Sequence, residues 1–223
     1  MDLWQTRSQS WSYLNDKFPS RVSVVLNAFT LIDRCVDELE LQSRDSTFAR
    51  ACGLTLMKGK NLAHGSLSLV LDGLGQESGA LLRPMIEYVE LLTYLRKYPE
   101  EADRAAVNAL PKAGQRAKAI GGIYQGLRQH LNEHASHSSY SHFALSHLIT
   151  PELRFRKVQE FVPRVLEVNF RDFAIQLMFL LQQGVLALEP AQSPCFMEIG
   201  AAVDRLKARM LDVFGLNVAQ SSV

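Results

Sequence analysis

SGALLRPMIEYVELLTYLRKYPE, residues 78–100, decides how the chain is read. Leu81, Leu82, Met85, Val89, Leu92 and Leu95 recur at three- and four-residue steps, the spacing that puts apolar side chains on one face of an α-helix. Arg83 and Glu87 stand four apart and share a face of that helix. Pro84 removes a backbone donor, so it either opens the helix or kinks it. Tyr98-Pro99-Glu100-Glu101 then ends the helix and opens another, with proline and acidic residues where a first helical turn favours them.

Upstream, Phe48 to Leu74 reads as a long helix capped by Asp45 or Ser46. Gly53, Gly59 and Gly65 weaken it and point to a break or to close approach of a neighbouring helix. His64, alone in this segment, reads as structural. RVSVVLNAFTLIDRCVDELEL, residues 21–41, places Val22, Val25, Leu26, Phe29, Ile32, Val36 and Leu39 on one face, with Ser20 as its cap. The first segment, to about Phe18, is a short helix with Trp4, Trp11 and Leu14 as its packing face.

Downstream, Leu110-Pro111 is a second stop. The helix from about Lys112 to Glu133 has Ala117, Ile120, Ile123, Tyr124, Leu127 and Leu131 inside and a basic exterior of Lys112, Arg116, Lys118 and Arg128. LITPELRFRKVQEF, residues 148–161, reads as loop with a little helix, although Leu153 and Phe155 alternate with arginines as a strand would. After Pro163 comes a strongly apolar helix from about Asn169 to Leu188. A final helix starts at Ser193-Pro194 and ends at Gly215, a fitting carboxyl cap. The expected fold is all-α, an antiparallel bundle of about seven or eight helices in one domain over residues 1–223.

The 24 basic and 23 acidic residues nearly cancel, so net charge gives no argument for nucleic acid or an anionic membrane, and any such binding must come from a local patch. Cys35, Cys52 and Cys195 are odd in number, far apart and form no Cys-x-x-Cys pair, which predicts neither a disulfide framework nor a thiolate metal site. That pattern fits a reducing, cytoplasmic compartment, with no disulfide-linked partner. No secretory leader is visible at the start, and FAIQLMFLLQQGVLAL, residues 173–188, is too short and too rich in glutamine for a bilayer span. It reads as a buried core helix.

Five of the six histidines fall in RQHLNEHASHSSYSHFALSH, residues 128–147. His130 and His134 are four apart and His137 follows three later, so a helix persisting through them would align all three on one face. Neutral imidazoles at that spacing suit a metal ion, with Glu133 or Glu87 completing the shell, or proton transfer near neutral pH. The His-Glu-x-x-His pattern of zinc proteases is absent, because Leu131 follows His130. A plainer reading leaves His130 and His134 facing solvent, His137 bonding the turn, and His142 and His147 in a loop.

At LLRPMIEYVELLTYLRKYPEEADR and YQGLRQHLNEHASHSS the chain resembles a bacterial all-helical family of unknown function. In that family a Leu-Arg-x-x-x-Glu helix precedes a Tyr-x-x-Leu helix ending in a Ser/Ala-His-x-Ser turn. Those proteins are similar to the HEPN superfamily of helical bundles, which are often dimers and include toxin-type ribonucleases. The resemblance implies a HEPN-like core over residues 45–147, flanked by amino-terminal helices (1–44) and carboxyl-terminal helices (148–223).

Carried over residue by residue, the resemblance implies binding roles for Arg83, Glu87 and Tyr124, with Leu127 and His137 also on the family pattern. Pro84 departs from the small or polar residue usual after the arginine. HEPN ribonucleases are similar to one another in an arginine followed after four to six residues by a histidine, and Arg128 and His134 meet that spacing. The catalytic candidates are therefore Arg128, His134 and His137: a permanent cation for phosphate and imidazoles for the proton.

The reading favoured by sequence is a HEPN-like dimeric binding or interaction module, whose apolar helices near the carboxyl end form the interface. No cofactor is expected, and no membrane. The partners are a second copy of the chain and RNA or a nucleotide. One alternative is a HEPN-type, metal-independent ribonuclease with a toxin, stress or phage-defence role. The other is a bundle binding a divalent transition metal through His130, His134 and His137.

Overall fold

A computed structural model of the 223-residue chain describes residues 3–134, 149, 154–155 and 160–216, with the backbone alone at 3 and 130–134. The chain is an all-α bundle. The described residues form α1 (Leu3–Lys17), α2 (Pro19–Gln42), α3 (Thr47–Leu71), α4 (Gly75–Lys97), a 3-10 turn (Pro99–Glu101), α5 (Ala102–Ala106), α6 (Ala113–Ala119), α7 (Gln125–His134), α8 (Pro163–Leu188) and α9 (Phe196–Val213). Ile149 and Phe155 form an isolated antiparallel bridge.

The core is built around α8, which packs against α2, α3, α4 and α9. Its buried set, from Leu166 through Phe170, Phe173, Leu177, Leu180 and Leu181 to Leu188, covers much of its circumference. A helix apolar on most sides belongs in the centre of a bundle, where each fully buried Leu or Phe contributes about 1.5–3 kcal/mol. Most of its apolar surface is covered inside the chain, while Val165 and Val168 remain 40% and 37% exposed. α8 also begins at Pro163, six residues before the expected Asn169. Proline at the first helical position lacks only a donor that would be unpaired anyway.

Close approach explains two helical glycines. A Cβ on Gly59 of α3 would lie 2.7 Å from Leu180 of α8, and one on Gly184 of α8 would lie 2.8 Å from Leu56 of α3. Each helix thus offers a notch that receives the other's leucine. Ser46 caps α3 by accepting a hydrogen bond from the Ala49 amide at 3.1 Å. α2 starts at Pro19 with Phe18, not Ser20, at its cap position. α4 begins at Gly75 and runs through Pro84, which therefore neither opens the helix nor ends it. α9 starts at Phe196, two residues beyond Pro194, and Gly215 closes it at φ 64°.

Two expectations are overturned. α1 packs through Thr6, Ser10 and Leu14, while Trp4 and Trp11 remain 72% and 39% exposed. Small residues at every fourth position bring α1 close to the bundle, and Arg7 anchors it with two hydrogen bonds to the buried Asp72, at 2.7 and 2.6 Å. The helix expected from Lys112 to Glu133 is instead broken at Ile120–Tyr124, where Gly121 and Gly122 adopt φ 81° and 65°. Consecutive left-handed residues cannot continue an α-helix, and α7 departs in a new direction that leaves Ile123 exposed. This break and the short α5 bring the described α-helices to nine, above the expected seven or eight. Among the described residues no helix is long and apolar enough to cross a membrane.

Candidate functional site: an arginine-carboxylate junction under a cleft

α6 and α7 pack on one side of α4. The stripe of α4 turned toward them is polar, because Glu87 and Glu90 are one helical turn apart. Arg128 of α7 reaches both. Its Nη1 donates to Glu90 Oε2 at 3.2 Å, and its Nη2 lies 3.9 Å from Glu87 Oε1. The Glu90 side chain is 2% exposed and Arg128 is 20% exposed, so the pair is largely withdrawn from water. A hydrogen bond to a charged group contributes about 1.5–3 kcal/mol, against a desolvation cost for both ions.

Arg116 of α6 completes the junction. Its Nη1 donates to the Pro111 carbonyl at 2.6 Å, and its charge acts on both Glu87 and Glu90. Burial pushes the Glu90 carboxyl above the usual carboxylate range; Arg128 opposes the shift and the neighbouring Glu87 adds to it. Burial likewise lowers Arg116 from the ordinary guanidinium value. Glu90 Oε1, Arg116 Nε and Arg83 Nε are all buried without a hydrogen-bond partner among the described residues. Native structures leave few such atoms, and those of Glu90 and Arg116 fall at this junction.

Above the junction is an open cleft of about 630 Å³ lined by Lys118, Gly121, Gly122, Gln125, Arg128 and Gln129. The left-handed glycine turn forms one wall and the first turn of α7 another. Arg128 belongs to both regions, paired with the carboxylates and lining the cleft. The volume suits a small ligand or one unit of a polymer, and the lining offers two cations and two amides for polar recognition. Neither carboxylate is in the lining, whose charged side chains are Lys118 and Arg128.

The expected site residues separate. Arg128 and Glu87 come together as one ion pair. The expected Arg83–Glu87 pairing does not form, because Glu87 turns to Arg128 while Arg83 has no ion-pair partner among the described residues. Tyr124 stands in the turn just before α7, and its hydroxyl accepts from Gln183 Nε2 at 3.2 Å. Gln183 Oε1 in turn accepts from Arg96 Nη1 at 2.7 Å, and the Tyr124 ring meets Phe179 edge-on. Tyr124 thus ties α7 to α8 and does not line the cleft.

His137, with His142 and His147, lies outside the described residues, and only the helical backbone is described at His130 and His134. That backbone places His130 about 200° and His134 about 240° around α7 from Arg128, at about 100° per residue. The register keeps His130 and His134 on one face and sets Arg128 on another. Among the described residues no three His, Cys, Asp or Glu side chains gather to hold a metal ion.

Glu90 and Arg116 are the site residues that sequence reasoning missed. Glu90 had a signal: it stands four residues after Ile86, directly behind Val89, in a helix whose neighbouring positions are buried. A carboxylate at such a position needs a cation from another helix. The chain matches no family model, no curated protein and no solved structure.

Proposed function

We propose that this chain is a HEPN-like, dimeric binding module that takes a phosphate-bearing ligand, a nucleotide or RNA, in the cleft between α6 and α7. One observation carries the reading: Arg128 lines the cleft while Glu90 and Glu87 hold its guanidinium in place. A guanidinium already fixed by carboxylates loses little rotamer freedom when an anion docks, and its planar fork suits phosphate oxygens. Lys118 adds a second charge at the rim. The HEPN-type ribonuclease reading is tied to Arg128, His134 and His137, and the metal-binding reading to His130, His134 and His137.

The test is a titration with ATP, AMP and a short single-stranded RNA at low and moderate salt. Wild type should bind at least one of them, with affinity falling as salt rises. Lys118→Ala, an exposed change, should weaken binding several-fold without altering the fold, and Arg128→Lys should weaken it more because the fork is lost. Binding indifferent to both variants, or no binding to any of the three, overturns the reading.

A further inference from the structure

Two carboxylates are buried among the described residues, Asp72 and Glu90, and they are held differently. Asp72 accepts from Arg7 at both oxygens, at 2.7 and 2.6 Å. Glu90 accepts one bond, from Arg128 Nη1 to Oε2 at 3.2 Å, and its Oε1 has no hydrogen-bond partner among the described residues. A buried carboxylate keeps its charge through donors and nearby cations, so the ionised form of Glu90 rests mainly on Arg128.

The charged groups acting most strongly on Glu90 are Arg128 of α7, Glu87 on its own helix and Arg116 of α6, while Tyr94, one turn further along α4, acts on Arg116. Arg116 spends its Nη1 on the Pro111 carbonyl. Glu87 is more exposed than Glu90 and lies 3.9 Å from the guanidinium of Arg128. The junction therefore sets two carboxylates against two guanidiniums, and of these four groups only Arg128 lines the cleft. An anion docked on Arg128 adds negative charge to a balanced set that is largely withdrawn from water. Lys118 offsets part of that charge at the rim, and one proton on Glu90 offsets the rest. Burial already pushes the Glu90 carboxyl upward, so it is well placed to accept that proton.

We infer that Glu90 takes up a proton from solvent when a phosphate-bearing anion docks on Arg128, which couples binding in the cleft to a carboxylate outside its lining. Glu90 acts through Arg128 and is a positioning residue: ionised, it shares the guanidinium with the ligand, and protonated, it releases that charge to the ligand. By linkage, proton uptake on binding makes affinity rise as pH falls. The inference rests on the phosphate-binding reading above and supplies its regulation.

Calorimetric titration with ATP, AMP and a short single-stranded RNA with hydroxyl ends, each in two buffers of different ionisation enthalpy, reads the protons taken up on binding. Protons gained by the ligand's own phosphates cancel when wild type is compared with Glu90→Gln, which has the shape and charge of protonated Glu90. Wild type should take up more protons than the variant. Its affinity should rise from neutrality toward the ordinary carboxylate range by up to about tenfold per pH unit, the limit for one coupled proton. Glu90→Gln should bind more tightly than wild type at neutral pH and lose most of that rise. Glu87→Gln also removes a negative charge but should still take up protons, which separates coupling at Glu90 from simple charge removal. Circular dichroism checks that the helices remain; if Glu90→Gln does not fold, wild-type uptake with the RNA decides, because its phosphodiesters stay ionised throughout. Equal uptake in wild type and Glu90→Gln, or no uptake with the RNA, overturns this inference and leaves binding in the cleft standing. Absence of binding by all three probes at every pH overturns the phosphate-binding reading together with it.

Discussion

Arg128 of α7 donates to Glu90 of α4 across 38 residues of chain, at 3.2 Å, and the acceptor is almost wholly buried. That bond is one of the ties between the α6–α7 unit and the core, and it orients the cation that lines the cleft.

Removing Arg128 should therefore cost more than the loss of one surface pair. Arg128→Ala leaves Glu90 buried opposite only the more distant charge of Arg116, and about 2–4 kcal/mol of stability should disappear. Glu87→Ala, at a more exposed and longer contact, should cost under about 1 kcal/mol. A urea-denaturation cycle with Glu90→Gln should show coupling between 90 and 128; strictly additive losses would refute the pairing.

The pH dependence follows from the direction of the Glu90 shift. Burial raises its folded value above the unfolded one, so the native chain holds the proton more tightly. The stability it contributes is complete below the unfolded value and is lost as pH rises through the raised folded value. Stability curves across the range from ordinary carboxylate titration to neutrality should show wild type losing ground to Glu90→Gln as pH increases. A gap that moves the opposite way would contradict the assignment.

Arg7 and Asp72 make a similar prediction for α1. Asp72 has a side chain 5% exposed and receives both Arg7 bonds. Arg7→Ala should release α1 from the bundle at a cost of about 1–3 kcal/mol. Trp4 and Trp11 are the chain's two tryptophans and both lie on α1, so their fluorescence reports on this helix. In the variant it should change at lower urea than the circular dichroism signal; coincident transitions would show that α1 is not separately held.

Gly59→Val should destabilise by about 1–3 kcal/mol, because the added atoms enter the space of Leu180. Leu180→Ala in the same chain should recover part of that loss, leaving the double variant more stable than additivity predicts. An additive result in thermal unfolding would mean that the two residues do not share a notch.

Thiol chemistry should distinguish the cysteines. Burial pushes the Cys35 and Cys52 thiols up to about 12, so almost no thiolate is available at neutral pH. Cys195 is half-buried and comes nearest to solvent, although its hydrogen bond to Glu38 also raises it. Under native conditions an aromatic disulfide reagent should label at most Cys195, slowly, and should reach the other two only on unfolding. Fast labelling of Cys35 or Cys52 would mean that the core around α2 and α3 opens.

The sequence by itself determined the helices and the main stops between them. The three- and four-residue apolar steps in residues 21–41 and 78–100, the Ser46 cap, Tyr98-Pro99 and Gly215 all act within a few residues, so they can be read without knowing the neighbours. Tertiary structure decided which faces are used. Whether Trp4 or Thr6 turns inward depends on how closely α1 can approach, and that is set by Arg7 finding Asp72 in a distant turn. Whether Glu87 pairs with Arg83 on its own helix or with Arg128 on another depends on the Gly121–Gly122 break, which redirects α7 across α4. A single glycine pair gives no reliable sign that two left-handed residues will follow one another. The burial of Glu90 was visible only as a charge among apolar neighbours. Its partner was chosen by packing, because ion pairs form between residues that the fold brings together, whatever their separation along the chain.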